Sequence, residues 1–142
     1  MRMLFPKKPK HRKWQTGRMH PTKSQTPDAR GTTVAFGSHG LKAMTGHRVS
    51  ANQIESARKV ITRALGKNGK MWTRIFPDMP RTQKAAEVGM GAGKGDLKDY
   101  VFEVHPGRVL FEIDGVPSLA AREALLKAGK KLPVAVRVVE RA

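Results

Sequence analysis

Positive charge is distributed very unevenly along this chain, and its concentration in the N-terminal segment limits how that segment can fold. Residues 1–31 contain nine lysines and arginines together with four prolines and few aliphatic side chains. Such a segment cannot bury enough apolar area to offset the conformational entropy that folding removes. We therefore predict that residues 1–31 form an extended basic N-terminal arm that becomes ordered on a binding partner, and that residues 32–142 form a single domain.

The partner expected for this arm is a polyanion. The chain has 28 lysines and arginines against 11 acids, and residues 1–76 hold 17 of the basic residues against only two acids. Clustered cations repel one another at ordinary ionic strength and are best neutralised by phosphates at contact distance. An anionic membrane is the other candidate, but no apolar run approaches the roughly 18 residues that span a bilayer. Nucleic acid, with no membrane, is the predicted partner.

Aromatic rings are interspersed with the cations of the arm. Trp14 lies among six basic residues, a mixture suited to contacting phosphates while a flat ring stacks on an unpaired base. The alternative is a disordered solubilising tail, which has no need of a tryptophan. RNA is favoured over DNA because no recognition helix or zinc-finger pattern is present. The arm residues predicted to bind RNA are Lys7, Lys8, Lys10, Arg12, Lys13, Trp14 and Arg18.

Two helices are expected in residues 32–142. Ser50 and Gln53 form a capping-box pattern ahead of a segment whose apolar residues recur at helical spacing. Ser118 opens the second helix, and Pro133 ends it. The opposite face of the first helix can lie along a phosphate backbone while its apolar face packs on a sheet. The cations predicted on that face are Arg58, Lys59, Arg63 and Lys67.

Six β-prone runs complete an α+β fold in which the two helices pack on a mostly antiparallel or mixed sheet. Pro106 and Gly107 favour a tight turn, which predicts a hairpin between the fourth and fifth runs. Residues 77–98 contain four glycines and little aliphatic sequence, so a long glycine-containing loop is expected there. The predicted strands are residues 32–36, 41–44, 71–76, 100–104, 109–113 and 134–138.

The glycines within residues 89–95 suggest an enzyme hypothesis, because glycine-rich loops can cradle phosphates with backbone amides. The pattern departs from a nucleotide-binding P-loop: Val88 stands where the first glycine is needed, Gly95 replaces the metal-binding hydroxyl, and a strand follows. A loop carrying Lys94 and Lys98 can approach a nucleic-acid backbone closely, or it can make no contact at all. Both interpretations remain open at this point.

Other chemistry finds little support in the sequence. Cysteine is absent, which excludes disulfides and thiolate metal sites, and the five histidines show no metal-ligand spacing. No catalytic residue, metal or cofactor is therefore predicted. The leading hypothesis is a structural RNA-binding protein. The alternatives are a small phosphate- or nucleotide-binding enzyme that uses the glycines, and a nucleic-acid-compacting protein that binds duplex DNA equally well.

Nine short sequence blocks are spread over nearly the whole chain, among them Phe-Gly-Ser-His-Gly-Leu-Lys-Ala, Arg-Ile-Phe-Pro-Asp and Pro-Gly-Arg-Val-Leu-Phe-Glu. In sequence and in order, these blocks resemble the bacterial large-subunit ribosomal protein family numbered sixteen. The order of the blocks makes the resemblance specific, although each block alone is weak. The blocks are residues 3–7 with 11–13, 36–43, 53–58, 74–78, 90–91 with 93–95, 106–112, 114–117, 121–124 and 131–133.

The resemblance implies a structural, non-enzymatic subunit with a hammerhead-like strand arrangement. It implies binding to large-subunit rRNA near the A-site tRNA and peptidyl-transferase region, with support for tRNA positioning and late subunit assembly. The implied partners are rRNA, tRNA in the A and P sites and neighbouring ribosomal proteins, without homo-oligomers, on a cytoplasmic ribosome or an organellar one. Lys42 and Lys70 join the expected rRNA contacts. The residues implied to face tRNA are Met90, Gly91, Gly93, Lys94 and Gly95.

Three departures from the family pattern bear on these expectations. Gly89 stands where many members have a modifiable arginine, and Ala92 replaces a lysine, so that modification is not expected here. The stretch from residue 18 to residue 31 is several residues longer than usual and contains two prolines. His39 replaces the usual phenylalanine, and we expect it either to stack on RNA or to face water.

Overall fold

The structure is a computed structural model that describes residues 4–16, 20–91 and 93–141. Within these ranges the chain forms three helices and seven strands. The helices are α1 (Pro21–Ser24), α2 (Ala51–Leu65) and α3 (Ser118–Gly129). The strands are β1 (His39–Ala43), β2 (His47–Ser50), β3 (Lys70–Thr73), β4 (Met79–Gln83), β5 (Asp96–Val104), β6 (Val109–Asp114) and β7 (Val136–Glu140).

The strands form two antiparallel sheets, and the helices pack against them. The larger sheet has the strand order β3-β6-β1-β7, and the smaller sheet has the order β2-β5-β4. Helices α2 and α3 contact each other; α3 packs on β1, β6 and β7, while α2 contacts β2, β3 and β5. Leu41, Phe111 and Ile113 from the larger sheet join Ile61 and Leu125 from the helices in one buried core. The predicted α+β class is confirmed, but the prediction of a single sheet is wrong, because the strands form two sheets.

The first predicted helix is confirmed together with its capping box. The Ser50 hydroxyl accepts a hydrogen bond from the amide of Gln53 at 3.4 Å, and the Gln53 side chain accepts one from the amide of Ser50 at 2.9 Å. These reciprocal bonds satisfy two donors that an open helix end would leave unpaired. The helix ends at Leu65, and Gly66 caps it with a φ of +65°, which suits a residue without a side chain.

The second long helix ends at Gly129, ahead of the predicted stop at Pro133. A Cβ atom on Gly129 would lie 2.4 Å from Cγ2 of Val136, so the start of β7 packs directly on the helix backbone. Two turn hydrogen bonds, from the amides of Lys131 and Leu132, then redirect the chain. The end of α3 therefore coincides with the close approach of β7 and not with Pro133.

The predicted strand at residues 32–36 is wrong. The backbone amides of residues 35–37 donate to one carboxylate oxygen of Glu112 at 2.8, 2.8 and 3.1 Å, instead of to a neighbouring strand. Each amide is thereby satisfied, as burial requires, without a β-ladder. This segment packs closely on the larger sheet: a Cβ atom on Gly37 would lie 2.4 Å from the carbonyl oxygen of Ile113.

The predicted hairpin between residues 100–104 and 109–113 is also wrong. A turn does form at Pro106 and Gly107, where Gly107 has a φ of +96°. However, β5 belongs to the smaller sheet and β6 to the larger one, so the turn carries the chain from one sheet to the other. Turn chemistry identified the reversal, while the choice of strand partners depended on the rest of the fold.

The long loop predicted at residues 77–98 is shorter in the structure. It contains β4, which sequence analysis missed because Pro80 and three polar residues fit an interior strand poorly. Strand β4 lies at the edge of its sheet, where a missing N–H group is tolerated. The connection that remains runs from residue 84 to residue 95, and we call it the glycine loop.

The second half of the predicted arm lies against residues 32–142. Ser24 in α1 is 2 % exposed, and the Gln25 side chain exchanges two hydrogen bonds with the backbone of Gly46, at 3.0 and 3.2 Å. The amide of Asp28 donates to the carbonyl of Pro106 at 2.9 Å. Residues 4–16, in contrast, contain no helix or strand. The boundary at residue 31 stays a prediction.

Candidate nucleic-acid interface

The cations of the arm are accessible and make no ion pair within the described part of the chain. Lys7, Lys8, Lys10 and Arg12 are exposed, and Lys13 is half-buried. Each can therefore neutralise a phosphate without first breaking an internal salt bridge. Arg18, which was predicted with them, lies outside the described residues.

The arm meets the glycine loop, a juxtaposition that sequence analysis did not anticipate. The Lys94 ammonium group donates a hydrogen bond to the backbone carbonyl of Trp14, although the two residues are 80 positions apart. The Trp14 side chain is 39 % exposed beside this contact. The structure thus joins the predicted RNA-binding arm and the predicted tRNA-facing loop into one cationic surface.

The glycine loop is open to solvent at its tip and fixed at its base. Gly91 and Gly93 both have a φ of +102°, with open space around them. Met90, which lies between Gly89 and Gly91, is 94 % exposed. A Cβ atom on Gly95 would lie 2.7 Å from the carbonyl carbon of Gln83, so the loop closes directly on the end of β4. The exposed side chains of the loop include Val88 and Met90, which are apolar, and Glu87 and Lys94, which are charged.

An ion pair between the two strands that flank the glycine loop holds its base. The Arg81 guanidinium on β4 donates to both carboxylate oxygens of Asp99 on β5, at 2.6 and 2.9 Å. Bidentate pairing of this kind fixes geometry as well as adding energy. Strand β5 begins at Asp96, directly after the loop, so no helix N-terminus is present to bind a nucleotide phosphate.

The four cations predicted on the outer face of α2 divide into two groups. The guanidinium of Arg58 pairs with Glu55, with an N–O distance of 2.6 Å, and the hydrogen bond from Arg58 lowers the pKa of Glu55 despite its burial. Part of the charge of Arg58 is thus neutralised within the helix. Lys59 and Arg63 are exposed on α2, whereas the predicted helix position of Lys67 is wrong: it lies in the turn after Leu65, where it is also exposed. No ion pair is seen for these three cations in the ranges that the structure covers.

A groove between α2 and the end of α3, which we call the α2–α3 groove, extends this basic face. It has a volume of about 440 Å³ and an apolar floor of Val60 and Ala64. Lys127 in α3 and the two lysines just after its end were not predicted as contacts, because only the packing of the two helices brings them beside α2. The cations that line the groove are Arg63, Lys127, Lys130 and Lys131.

Lys42 and Lys70 are not brought together by the fold. Lys42 is half-buried in the central strand β1, and Lys70 is exposed as the first residue of the edge strand β3. Strand β6 separates these two strands. Lys70 is therefore the more accessible of the two proposed contacts.

The described residues contain no group of three or more histidine or acidic side chains arranged to hold a metal ion. None of the helices in these ranges has the length and apolar composition needed to span a membrane.

Comparison with known proteins decides which family this basic α+β chain represents. A family model described as "Ribosomal protein L16p/L10e" matches residues 6–139. The chain belongs to this family. It is a structural, non-enzymatic protein of the large ribosomal subunit, and as a bacterial-type member it belongs to the ribosomes of the cytoplasm. The alternative of a small nucleotide-binding enzyme is wrong, whereas the resemblance seen in the nine sequence blocks is confirmed.

Curated relatives of the L16p/L10e family match along almost their whole length. Large ribosomal subunit protein uL16 of Nitrobacter hamburgensis is 52% identical over 139 residues, which cover 98% of each chain. The uL16 proteins of Caulobacter vibrioides and Zymomonas mobilis are 52% and 50% identical, covering 98% of this chain and 94% of the relative. A ribosomal protein of this family has rRNA and other large-subunit proteins as partners.

The histidine that departs from the L16p/L10e pattern has neither of the two environments expected for it. His39 is only 8 % exposed, so it does not face water or present a ring for stacking. Its Nδ1 lies 2.9 Å from the Ser38 hydroxyl, and its Nε2 lies 3.3 Å from the Ser118 hydroxyl at the start of α3. The side chain instead links β1 to α3.

Proposed function

We propose that this member of the L16p/L10e family binds large-subunit rRNA beside the A-site tRNA and the peptidyl-transferase region. There it supports tRNA positioning and late assembly of the subunit. The observation that carries the proposal is the contact between Lys94 and the carbonyl of Trp14, because it makes one exposed cationic surface from the arm and the glycine loop. Its location in the ribosome is inferred from the family resemblance.

The two parts of this surface suit different tasks. The arm offers unpaired cations and an exposed indole, a combination that neutralises phosphates and stacks on an unpaired base. At Gly91 and Gly93 the glycine loop has open space around its backbone, which allows a tRNA to approach closely. The α2–α3 groove adds a second set of cations for rRNA phosphates.

Salt dependence of RNA binding tests the rRNA part of the proposal. Each phosphate contact adds about 0.7 to 0.9 to the slope of log affinity against log salt. The variant K7Q/K8Q/K10Q should lower that slope by about 2 to 3 on a large-subunit rRNA transcript. R122Q/R137Q/R141Q removes the same charge from exposed positions outside the arm, the glycine loop and the α2–α3 groove, and it serves as the control. Equal slope changes in the two variants would contradict a role specific to the arm.

The tRNA part needs assembled particles. Large subunits that lack this chain are supplemented with wild-type protein or with M90A/K94Q, and incorporation is checked by sedimentation through a high-salt wash. We expect the variant to be incorporated normally but to bind A-site tRNA more weakly. Unchanged tRNA affinity in subunits that contain the variant would refute the loop's role. A wild-type chain that remains entirely at the top of the gradient would refute the proposal as a whole.

A further inference from the structure

An aromatic cluster lies outside the arm, the glycine loop and the α2–α3 groove. Phe36 is 55 % exposed, and its ring stacks on Trp72 with a centroid distance of 6.2 Å and an angle of 23° between the planes. The Arg74 guanidinium carbon lies 4.9 Å from the centroid of the same ring. The Phe36 ring thus has two flat partners within the protein and still leaves about half of its surface open.

A single buried carboxylate fixes this cluster. Glu112 on β6 is fully buried; one of its oxygens accepts a hydrogen bond from the Phe36 amide at 2.8 Å, and the other accepts one from the Arg74 guanidinium. Burial alone would raise the pKa of Glu112, but the bonds from Arg74 and the amides of residues 35–37 outweigh it and lower the pKa. The carboxylate therefore stays ionised, and it binds the Phe36 backbone amide and the Arg74 guanidinium at the same time.

Such rigid support is more than an exposed side chain needs if its only role is to cover the sheet. Gly37 already presses on β6 without a side chain, so the segment is anchored at the residue next to Phe36. A ring held in advance loses little conformational entropy when a second flat group stacks on it. The local chemistry is thus that of a prepared stacking surface.

We propose that the open part of Phe36, supported by Trp72 and flanked by Arg74, is a stacking platform for one unpaired base of the large-subunit rRNA. This inference rests on the proposed rRNA binding. A base is favoured as the occupant for two reasons. The chain carries a net charge of +17, which favours nucleic acid, and the planar Arg74 guanidinium in the platform can contact the edge of a flat polar ring. An aliphatic side chain of a neighbouring protein could also cover the ring, but it would bring no phosphate to this strongly cationic chain.

The test uses the full chain and a large-subunit rRNA transcript, with F36L and F36Y compared. Leucine keeps an apolar contact but loses the flat ring, whereas tyrosine keeps the ring. We expect F36L to weaken RNA affinity by about 5- to 150-fold, which corresponds to one stacked base, and F36Y to stay near wild type. The slope of affinity against salt should not change, because no phosphate contact is removed.

A matched control comes from Phe76. It is 42 % exposed, but no ring or guanidinium contact is found for it among the described residues. F76L is expected to change affinity by less than about 2-fold, because no stacked base would be lost. Urea unfolding of F36L is measured alongside, and base-selective chemical probing should show one nucleotide that is protected by wild type and F36Y but not by F36L.

The outcomes separate the inference from the function on which it rests. Wild-type affinity for F36L, or equal losses in F36L and F76L, would overturn the stacking platform while leaving salt-dependent rRNA binding intact. Full affinity of F36L for rRNA combined with poor retention in assembled subunits would point to a protein neighbour and would also overturn it. Absence of salt-dependent binding by the wild-type chain would instead refute the proposed function itself.

Discussion

Replacement of Glu112 by glutamine is the sharpest test of how this fold is held together. The carboxylate is fully buried and accepts three backbone amides on one oxygen and the Arg74 guanidinium on the other. A glutamine can still accept the amides through its oxygen, but its NH₂ group then faces the guanidinium, donor against donor. The variant E112Q therefore leaves a cation partly buried without its counter-charge.

The size of the effect follows from this geometry. Breaking a buried ion pair by removing one partner typically destabilises a protein by about 3 to 5 kcal/mol. For a chain of this length, 1 kcal/mol shifts the melting temperature by roughly 3 °C, so a decrease of about 9 to 15 °C is expected. Thermal unfolding followed by circular dichroism, together with urea unfolding at 25 °C, measures both quantities.

A surface glutamate provides the control. Glu140 is 55 % exposed and pairs with Arg122 at 3.2 Å, so E140Q should change stability by less than about 1 kcal/mol. The double variant R74M/E112Q should be less destabilised than the sum of its single variants, because the two groups interact directly. A loss below about 1 kcal/mol in E112Q would show that the carboxylate is not the anchor that its contacts indicate.

Three further predictions concern pH, packing and charge. Because the pKa of Glu112 is lowered in the folded protein, the folded state binds fewer protons than the unfolded state. The resulting stability is present above the ordinary pKa of 4.5 and is lost as the pH falls through the lowered pKa of the folded state. Urea midpoints measured below pH 4.5 should therefore fall more steeply for wild type than for E112Q. A Cβ atom on Gly46 would lie 1.6 Å from the Ser24 carbonyl oxygen, so G46A should displace α1 and speed limited proteolysis within residues 20–31. The control is G66A, whose new Cβ atom meets no other atom although Gly66 also has a positive φ. Slow cleavage of G46A would contradict this packing. The variant K127Q/K130Q/K131Q, which neutralises the three lysines of the α2–α3 groove, should lower the salt slope of rRNA binding by about 2 to 3, and an unchanged slope would exclude the groove from the interface.

Local sequence patterns predicted the elements whose formation depends on neighbouring residues. The capping box of Ser50 and Gln53, the apolar face of α2 and the turn at Pro106 all involve contacts within a few positions. Edge strand β4 escaped prediction because its sequence is polar and contains Pro80, and strand status there depends on pairing with β5. The segment at residues 32–36 has β-prone side chains, yet the amides of Ala35 and Phe36 bind a carboxylate 77 and 76 positions away.

The interface divides in the same way. The exposed cations of the arm could be identified from composition, because residues 1–31 cannot build a core of their own. The three groove lysines and the contact between Lys94 and Trp14 could not, since each depends on elements that are distant in sequence. Arg58 shows the reverse case: its position on a helix face was predicted, while its pairing with Glu55 limits the charge that it can offer.

From the sequence alone one can infer that residues 1–31 are basic and rich in proline, that the partner of the chain is a polyanion, and that the chain has the α+β fold of the L16p/L10e family. Charge, periodicity and ordered sequence blocks are properties of the chain, and they survive without coordinates. The folded molecule alone shows which strands pair and which cations lie together. It also decided that the arm adjoins the glycine loop, and that one buried carboxylate fixes Phe36 and Arg74. The physical reason is that packing and burial join residues far apart in sequence, and no local pattern encodes their final distance.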